Sequence, residues 1–145
     1  MATKTKILLS TLFFVVISGW LFWKWQGYNN PSISTNKKDY GNGESLIVTI
    51  KNTLKESICF SCCYPYYLEK NNGQWTSYHY GECEKEDVNE ICVEQGQIKS
   101  FEIDLVFLEE GIHRLALPAC SGCIIGEEFK EIKRFYSNEF SVRAE

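Results

Sequence analysis

Seven cysteines, none before position 59, are the side chains of this chain best able to carry chemistry. They fall in three groups: Cys59, Cys62 and Cys63; Cys83 and Cys92; Cys120 and Cys123. Sulfur at these spacings supports three chemistries. The first is disulfide bonding, with all seven as candidates. Cys83 paired with Cys92, and a cysteine of the first group paired with one of the third, would staple long loops over a small core. Closing the shorter loop would contribute on the order of 2–3 kcal/mol in the chain-entropy model. The second is a zinc site. Cys59-x-x-Cys62 and Cys120-x-x-Cys123 have zinc-knuckle spacing and could supply four thiolates in a tetrahedral shell, with His79 as a substitute ligand. The third is thiol exchange, for which Cys120-Ser121-Gly122-Cys123 has the redox-motif spacing. Redox enzymes set that motif at a helix start, and Ile124-Ile125-Gly126 does not read as one. The odd count leaves at least one cysteine unpaired or bonded to another chain.

Other reactive residues are few. His79 and His113 are the only histidines. His113 lies in a strand-like run and reads as packed; His79 reads as exposed. Glu82, Glu84, Glu86, Asp87, Glu90 and Glu94 crowd one stretch, which reads as a solvated loop that matches no calcium-loop template. No Gly-x-Ser-x-Gly, phosphate-cradling glycine loop or His-Glu-x-x-His helix occurs, so no catalytic constellation is expected. Tyr64, Tyr66, Tyr78 and Tyr80 are the binding-surface candidates, because exposed aromatic rings give contact area at low entropic cost. Trp75 reads as a cap on the core.

The compartment of this chemistry follows from Ile7–Trp23, seventeen residues without a charge. As a helix they span roughly 25 Å, close to a ~30 Å hydrocarbon core. Lys6 and Lys24 flank the stretch, and Trp20, Trp23 and Trp25 gather at its C-terminal end as an interfacial belt. A cleaved signal peptide is the rival reading, but Trp23-Lys24-Trp25-Gln26 offers no small-residue cleavage site. A buried soluble helix is the third. Lys4 and Lys6 outweigh Lys24, so the N-terminus is expected in the cytoplasm and everything after Gln26 outside it. That side is oxidising, which favours the disulfide reading. After Lys24, twelve basic residues face nineteen acidic ones, a net charge of −7. With no basic stripe, nucleic acid is excluded as a partner.

The elements that position these residues are short. Gln26–Thr35 reads as a polar tether. Leu46, Val48 and Ile50 alternate with Ile47, Thr49 and Lys51, the period of a half-buried strand. Tyr40-Gly41-Asn42-Gly43 reads as a turn before it, and Asn71-Asn72-Gly73 as a hairpin joining Tyr66–Lys70 to Gln74–Tyr80. Phe101, Ile103 and Leu105 alternate again, and Glu110-Gly111 turns into Ile112–Leu117. Beyond the apolar segment no amphipathic helix of ten residues is found. About seven short strands imply a two-sheet sandwich.

Five segments carry a resemblance: Tyr40-Gly-Asn-Gly-Glu44, Val48-Thr-Ile-Lys-Asn52, Tyr67-Leu-Glu-Lys70 with Gly73-Gln-Trp75, Gly111-Ile-His-Arg-Leu115 and Tyr136-Ser-Asn-Glu-Phe140. Together they resemble successive strands of bacterial immunoglobulin-like domains, over residues 33–143. His113 departs from the commoner aromatic, Gln95-Gly96 replaces a Pro-Gly turn, and the cysteines are extra. The resemblance implies an all-β, immunoglobulin-like sandwich with a non-catalytic role and no active site. On that fold strands B, C, C′, E and F are 45–52 (continuing toward 60), 66–70, 74–80, 97–105 and 112–117. The B–C, C′–E and F–G loops then meet at one end, and all seven cysteines converge on that tip.

The expected organisation is a cytoplasmic N-terminus (1–6), a signal-anchor helix (7–25), a linker (26–35) and a sandwich with a cysteine-rich tip (36–145). The expected function is a membrane-anchored extracytoplasmic module with a structural or binding role, its partner an unknown protein or glycan, with cysteines mainly in disulfides, no enzyme activity and no cofactor. A membrane-tethered thiol-redox or zinc-handling protein is the alternative.

Overall fold

The computed structural model describes residues 30–61, 64–81, 92–105, 108–123 and 133–143. The apolar segment Ile7–Trp23 lies outside these residues. No helix among the described residues is long and apolar enough to cross a membrane. What is described is all-β: β1 (Ser32–Thr35), β2 (Asp39–Gly41), β3 (Ser45–Lys51), β4 (Ile58–Cys59), β5 (Tyr66–Asn71), β6 (Trp75–Gly81), β7 (Cys92–Val93), β8 (Ile98–Asp104), β9 (Gly111–Ser121), β10 (Lys133–Tyr136) and β11 (Phe140–Arg143).

Two sheets form a β-sandwich. The smaller runs β1-β3-β8, all antiparallel. The larger is built around β9, the longest strand. One edge of β9 takes β5 and then β4, and its other edge takes β11 and then β10. β6 extends this sheet beyond β5, β7 beyond β4, and β2 runs parallel to β11. Between them, Leu46, Val48 and Ile50 of β3 meet Leu68 of β5, Leu115 and Leu117 of β9, and Phe140 and Val142 of β11. Leu46, Val48 and Ile50 are fully buried, so the period-two reading of this strand holds.

The hairpin forms where expected. Asn71 pairs with Trp75, Gly73 adopts φ +88°, and its N–H donates to Asn71 Oδ1 at 3.0 Å. A side chain at that φ would be strained, which is why Asn-Asn-Gly closes this turn. Three expectations are corrected. Ser32–Thr35, read as part of the tether, is a strand in register with β3. The strand expected over 112–117 runs on to Ser121. Cys59, Cys92 and Cys120 sit in strands, not in loops. A two-residue strand such as β4 or β7 has no periodicity to read.

Asn52, at the end of β3, explains how so short a strand as β7 is held. Its amide donates to the carbonyls of Val93 at 2.7 Å and Glu56 at 2.8 Å, and its Oδ1 accepts from Leu54 N–H. It is fully buried with every polar group of its side chain used.

Candidate functional site

Two clusters occupy the outward-facing side of β9. Its inward residues His113, Leu115, Leu117 and Ala119 are buried toward the core, so Arg114, Ala116, Pro118 and Cys120 project the other way.

At the C-terminal end of β9, Cys120 is the register partner of Cys59 on β4, and Cys59 is in turn the partner of Cys92 on β7. Three cysteines thus stand in one row across three strands. Cys59 is bonded to Cys92, and Cys120 to Cys123. The two disulfides adjoin: Cys59 Sγ lies 3.1 Å from the carbonyl oxygen of Cys123. The turn inside Cys120-Ser-Gly-Cys123 depends on Gly122. It has φ +73°, its N–H donates to the Ser57 carbonyl at 2.9 Å, and a Cβ there would sit 2.7 Å from Glu56 Oε2.

Four of the seven cysteines therefore converge as expected, but with other partners. The expected pairs, Cys83 with Cys92 and a first-group cysteine with a third-group one, are replaced because β4 lies directly between β7 and β9. Cys62, Cys63 and Cys83 lie outside the described residues, as does the acidic stretch Glu82–Glu90. Cys59, Cys120 and Cys123, three of the four residues of the zinc reading, have their sulfurs in disulfides here, and a disulfide sulfur is not a thiolate ligand. Among the described residues no group of three His, Cys, Asp or Glu side chains is placed to hold a metal ion. His79, the substitute ligand, is exposed beside Tyr66.

The second cluster lies on β6, β5, β9 and β10. Glu69 is buried and accepts from Arg114 through Nε and Nη2, both 2.8 Å from Oε2, and from Ser77 Oγ at 3.2 Å on Oε1. The Arg114 guanidinium lies between two rings, 4.2 Å from the centre of Trp75 and 4.0 Å from that of Tyr136. Arg134 stacks 4.2 Å over Tyr67, whose other neighbour is Tyr80 at 4.6 Å. Arg134 reaches Glu69 Oε1 only at 3.9 Å. The row Tyr80–Tyr67–Ala116–Tyr136 explains the arrangement. Ala116, in register between Tyr67 and Tyr136, is fully buried although it faces outward.

Of the tyrosines expected to form a binding surface, Tyr78 and Tyr80 are exposed, while Tyr64 and Tyr66 pack against the core. Tyr64 stacks on Phe101 with ring centres 4.6 Å apart. Burial, and then the charge of Asp104, pushes the Tyr66 phenol up; burial, and then Glu109, does the same at Tyr78. Both stay neutral hydroxyls at physiological pH. Trp75 is not a core cap but half of the clamp on Arg114. Sequence reading missed Glu69, Arg114 and Arg134 as a group. Its one available signal was a charged residue at an outward position in each of two strands that pair.

His113 is packed, as expected. A carbonyl oxygen can only accept, so Nδ1 carries the hydrogen and donates to Gly111 O at 3.0 Å. Nε2 is buried and has no hydrogen-bond partner among the described residues. Burial is the main cause that lowers this imidazole's pKa. Lys70 adds to the lowering, while the Gly111 hydrogen bond and Glu109 oppose it.

No family model matches the chain. No curated protein matches it either. Among solved structures, the chain aligns with a β-glucosidase from Listeria innocua in complex with gluconolactone, at 19% identity and a TM-score of 0.32. That alignment covers 79% of this chain and 16% of the enzyme, so the chain spans about a sixth of that protein. At that TM-score the likeness carries no argument about fold or activity.

Proposed function

We propose that this chain is a membrane-anchored, extracytoplasmic immunoglobulin-like module that acts by non-catalytic contact with another protein. The observation that carries the reading is the tip closed by two disulfides in a domain that follows an uncharged seventeen-residue segment. Disulfides persist in oxidising compartments, and an apolar segment of that length suits a signal-anchor. The strand order supports the immunoglobulin-like assignment: β1-β3-β8 corresponds to A-B-E, and β11-β9-β5-β6 to G-F-C-C′.

The contact surface of this reading is the arginine and aromatic face, and its partner is a protein surface rich in carboxylates. Among the described residues, two guanidinium groups there stand against one carboxylate, on a portion of the chain whose net charge is −7. Glu69 already accepts from Arg114 and Ser77, so the half-exposed Arg134 keeps donors for an outside acceptor. A glycan is the weaker candidate. Trp75 and Tyr136 hold Arg114 between them, and a ring face under a guanidinium is not open to a sugar.

The test uses full-length protein in intact cells. Protease added outside is expected to remove the β-sandwich, and Cys59, Cys92, Cys120 and Cys123 are expected to resist alkylation until reductant is added. Protection from the protease, with those four cysteines alkylated directly, overturns the placement. A photo-crosslinking residue at position 136 is expected to give a protein adduct that Arg134→Glu abolishes. An adduct indifferent to Arg134→Glu overturns the contact face.

A further inference from the structure

The sulfur row has a consequence beyond stapling and beyond contact with a partner. Cys59 has a cysteine as its direct register neighbour on both sides, Cys92 on β7 and Cys120 on β9. Directly opposed residues of antiparallel strands have Cα atoms roughly 4.5–5.5 Å apart, inside the span that a disulfide bridges. Their side chains leave the sheet on the same face. Either neighbour can therefore hold Cys59 without moving a strand. Exposure orders the four sulfurs further. Cys59 and Cys120, in the middle, are buried, whereas Cys92 and Cys123, at the two ends, are partly exposed. Cys59 Sγ lies 3.1 Å from the Cys123 carbonyl oxygen, so the first bond abuts the turn that carries the second.

We propose that this row is a thiol–disulfide exchange site that accepts two electrons from a protein dithiol, by moving the Cys59 bond from Cys92 to Cys120. A thiolate of the dithiol attacks Cys123 Sγ, forms a mixed disulfide and expels the Cys120 thiolate. Cys120 attacks Cys59 Sγ, forms the Cys59–Cys120 bond and expels the Cys92 thiolate. The second thiolate of the dithiol then resolves the mixed disulfide, leaving as an oxidised disulfide and freeing Cys123. Two electrons and two protons pass from the dithiol to the protein. Two disulfides become one, with thiols at Cys92 and Cys123. Entry at the other end gives the same product: attack on Cys92 expels Cys59, which attacks Cys120 and expels Cys123. The covered pair in the middle exchanges only with each other, and the partly exposed ends meet the substrate.

The experiment uses full-length protein made in an oxidising compartment and held in detergent. Thiols already free are blocked with one alkylating label. One molar equivalent of dithiothreitol, a small dithiol, is added, the mixture is acid-quenched, and a second label is applied before peptide mapping. The expected result is loss of the Cys59–Cys92 and Cys120–Cys123 linkages in equal proportion. A Cys59–Cys120 linkage appears in the same amount, with the second label on Cys92 and Cys123. Second label on Cys120 and Cys123 with Cys59–Cys92 retained overturns the proposal, as does resistance of both bonds. Cys92→Ser gives an independent arm without reductant. It is expected to carry Cys59–Cys120 with Cys123 alkylated; Cys120–Cys123 intact with Cys59 alkylated overturns the exchange.

Discussion

The two clusters on the outer side of β9 are built alike and held differently. In each, three adjacent strands bring directly opposed side chains into a row: Cys92, Cys59 and Cys120 at one end, Ser77, Glu69 and Arg114 at the other. The first row is closed by a covalent bond, the second by charge-assisted hydrogen bonds and stacked rings. Strand length accounts for the difference. β4 and β7 have two residues each, too few for a ladder or an apolar face of their own. β5 and β6 have six and seven, so their ladder and the core beneath position them first. Short strands need the staple, and long ones leave outward side chains available for contact.

The largest effect is therefore expected at the tip. Cys59→Ala with Cys92→Ala opens a bridge spanning 33 residues. The chain-entropy model puts that at about 3–4 kcal/mol, with melting lowered by roughly 10 °C or more. Glu69→Ala is expected to follow at about 2–3 kcal/mol, since it removes the carboxylate to which the Arg114 guanidinium is bonded among the described residues. Denaturant midpoints of the full-length protein in detergent check both. If the glutamate outranks the disulfide, the tip does not depend on its bond and the comparison inverts.

A third effect lies beside the second cluster and away from the first. In the unfolded chain a histidine protonates at its ordinary value of 6.5, whereas in the fold burial holds His113 below that value. The unfolded state therefore binds more protons, so stability is present in full above about pH 6.5 and is lost as pH falls through the folded pKa. Lys70, Glu109 and Tyr78 are the titratable groups around His113. The carboxyls held below their ordinary range, Asp39, Glu44 and Glu109, change charge at lower pH. Unfolding midpoints between pH 7.5 and 5.5 are expected to fall with pH, and His113→Leu to flatten that fall. An unchanged slope in the variant assigns the dependence elsewhere.

Legibility in the sequence followed the same division as stability. Strands with several alternating residues were readable: Leu46, Val48 and Ile50 gave β3, and Asn71-Asn72-Gly73 gave the β5–β6 hairpin; of the seven cysteines expected at one tip, Cys59, Cys92, Cys120 and Cys123 are described and adjoin. The disulfide partners were not readable, because connectivity depends on β4 and β7 and a two-residue strand has no period. The Glu69–Arg114 pair was hidden for another reason. The register of β5 against β6 shifts between Leu68 and Glu69, so Ser77, and not Tyr78, lies opposite Glu69. Spacing along the chain does not encode such a bulge. Trp75, a tryptophan just after the hairpin, reads as a cap on the core. Its position across the hairpin sends it outward, where Arg114 covers it.

The smallest stability effect is expected at Arg134, and it separates support of the fold from contact with a partner. Arg114 and Arg134 both stack on rings and both approach Glu69, yet their situations differ. Arg114 is 22% exposed and donates to the buried carboxylate at 2.8 Å; Arg134 is 46% exposed and stands 3.9 Å from it. A half-exposed guanidinium over a ring is worth about 0.5–1 kcal/mol, and an ion pair that open to solvent adds little. Tyr67 and Glu69 keep their other neighbours when Arg134 is truncated. Arg134→Ala is therefore expected to shift melting by no more than roughly 2–4 °C, and Arg114→Ala by more. The crosslink at position 136 is expected to show the reverse sensitivity per unit of stability lost, falling several-fold in Arg134→Ala while the fold persists. Equal destabilisation by the two truncations would mean that both arginines serve the fold, and the face would then have no donor reserved for a partner.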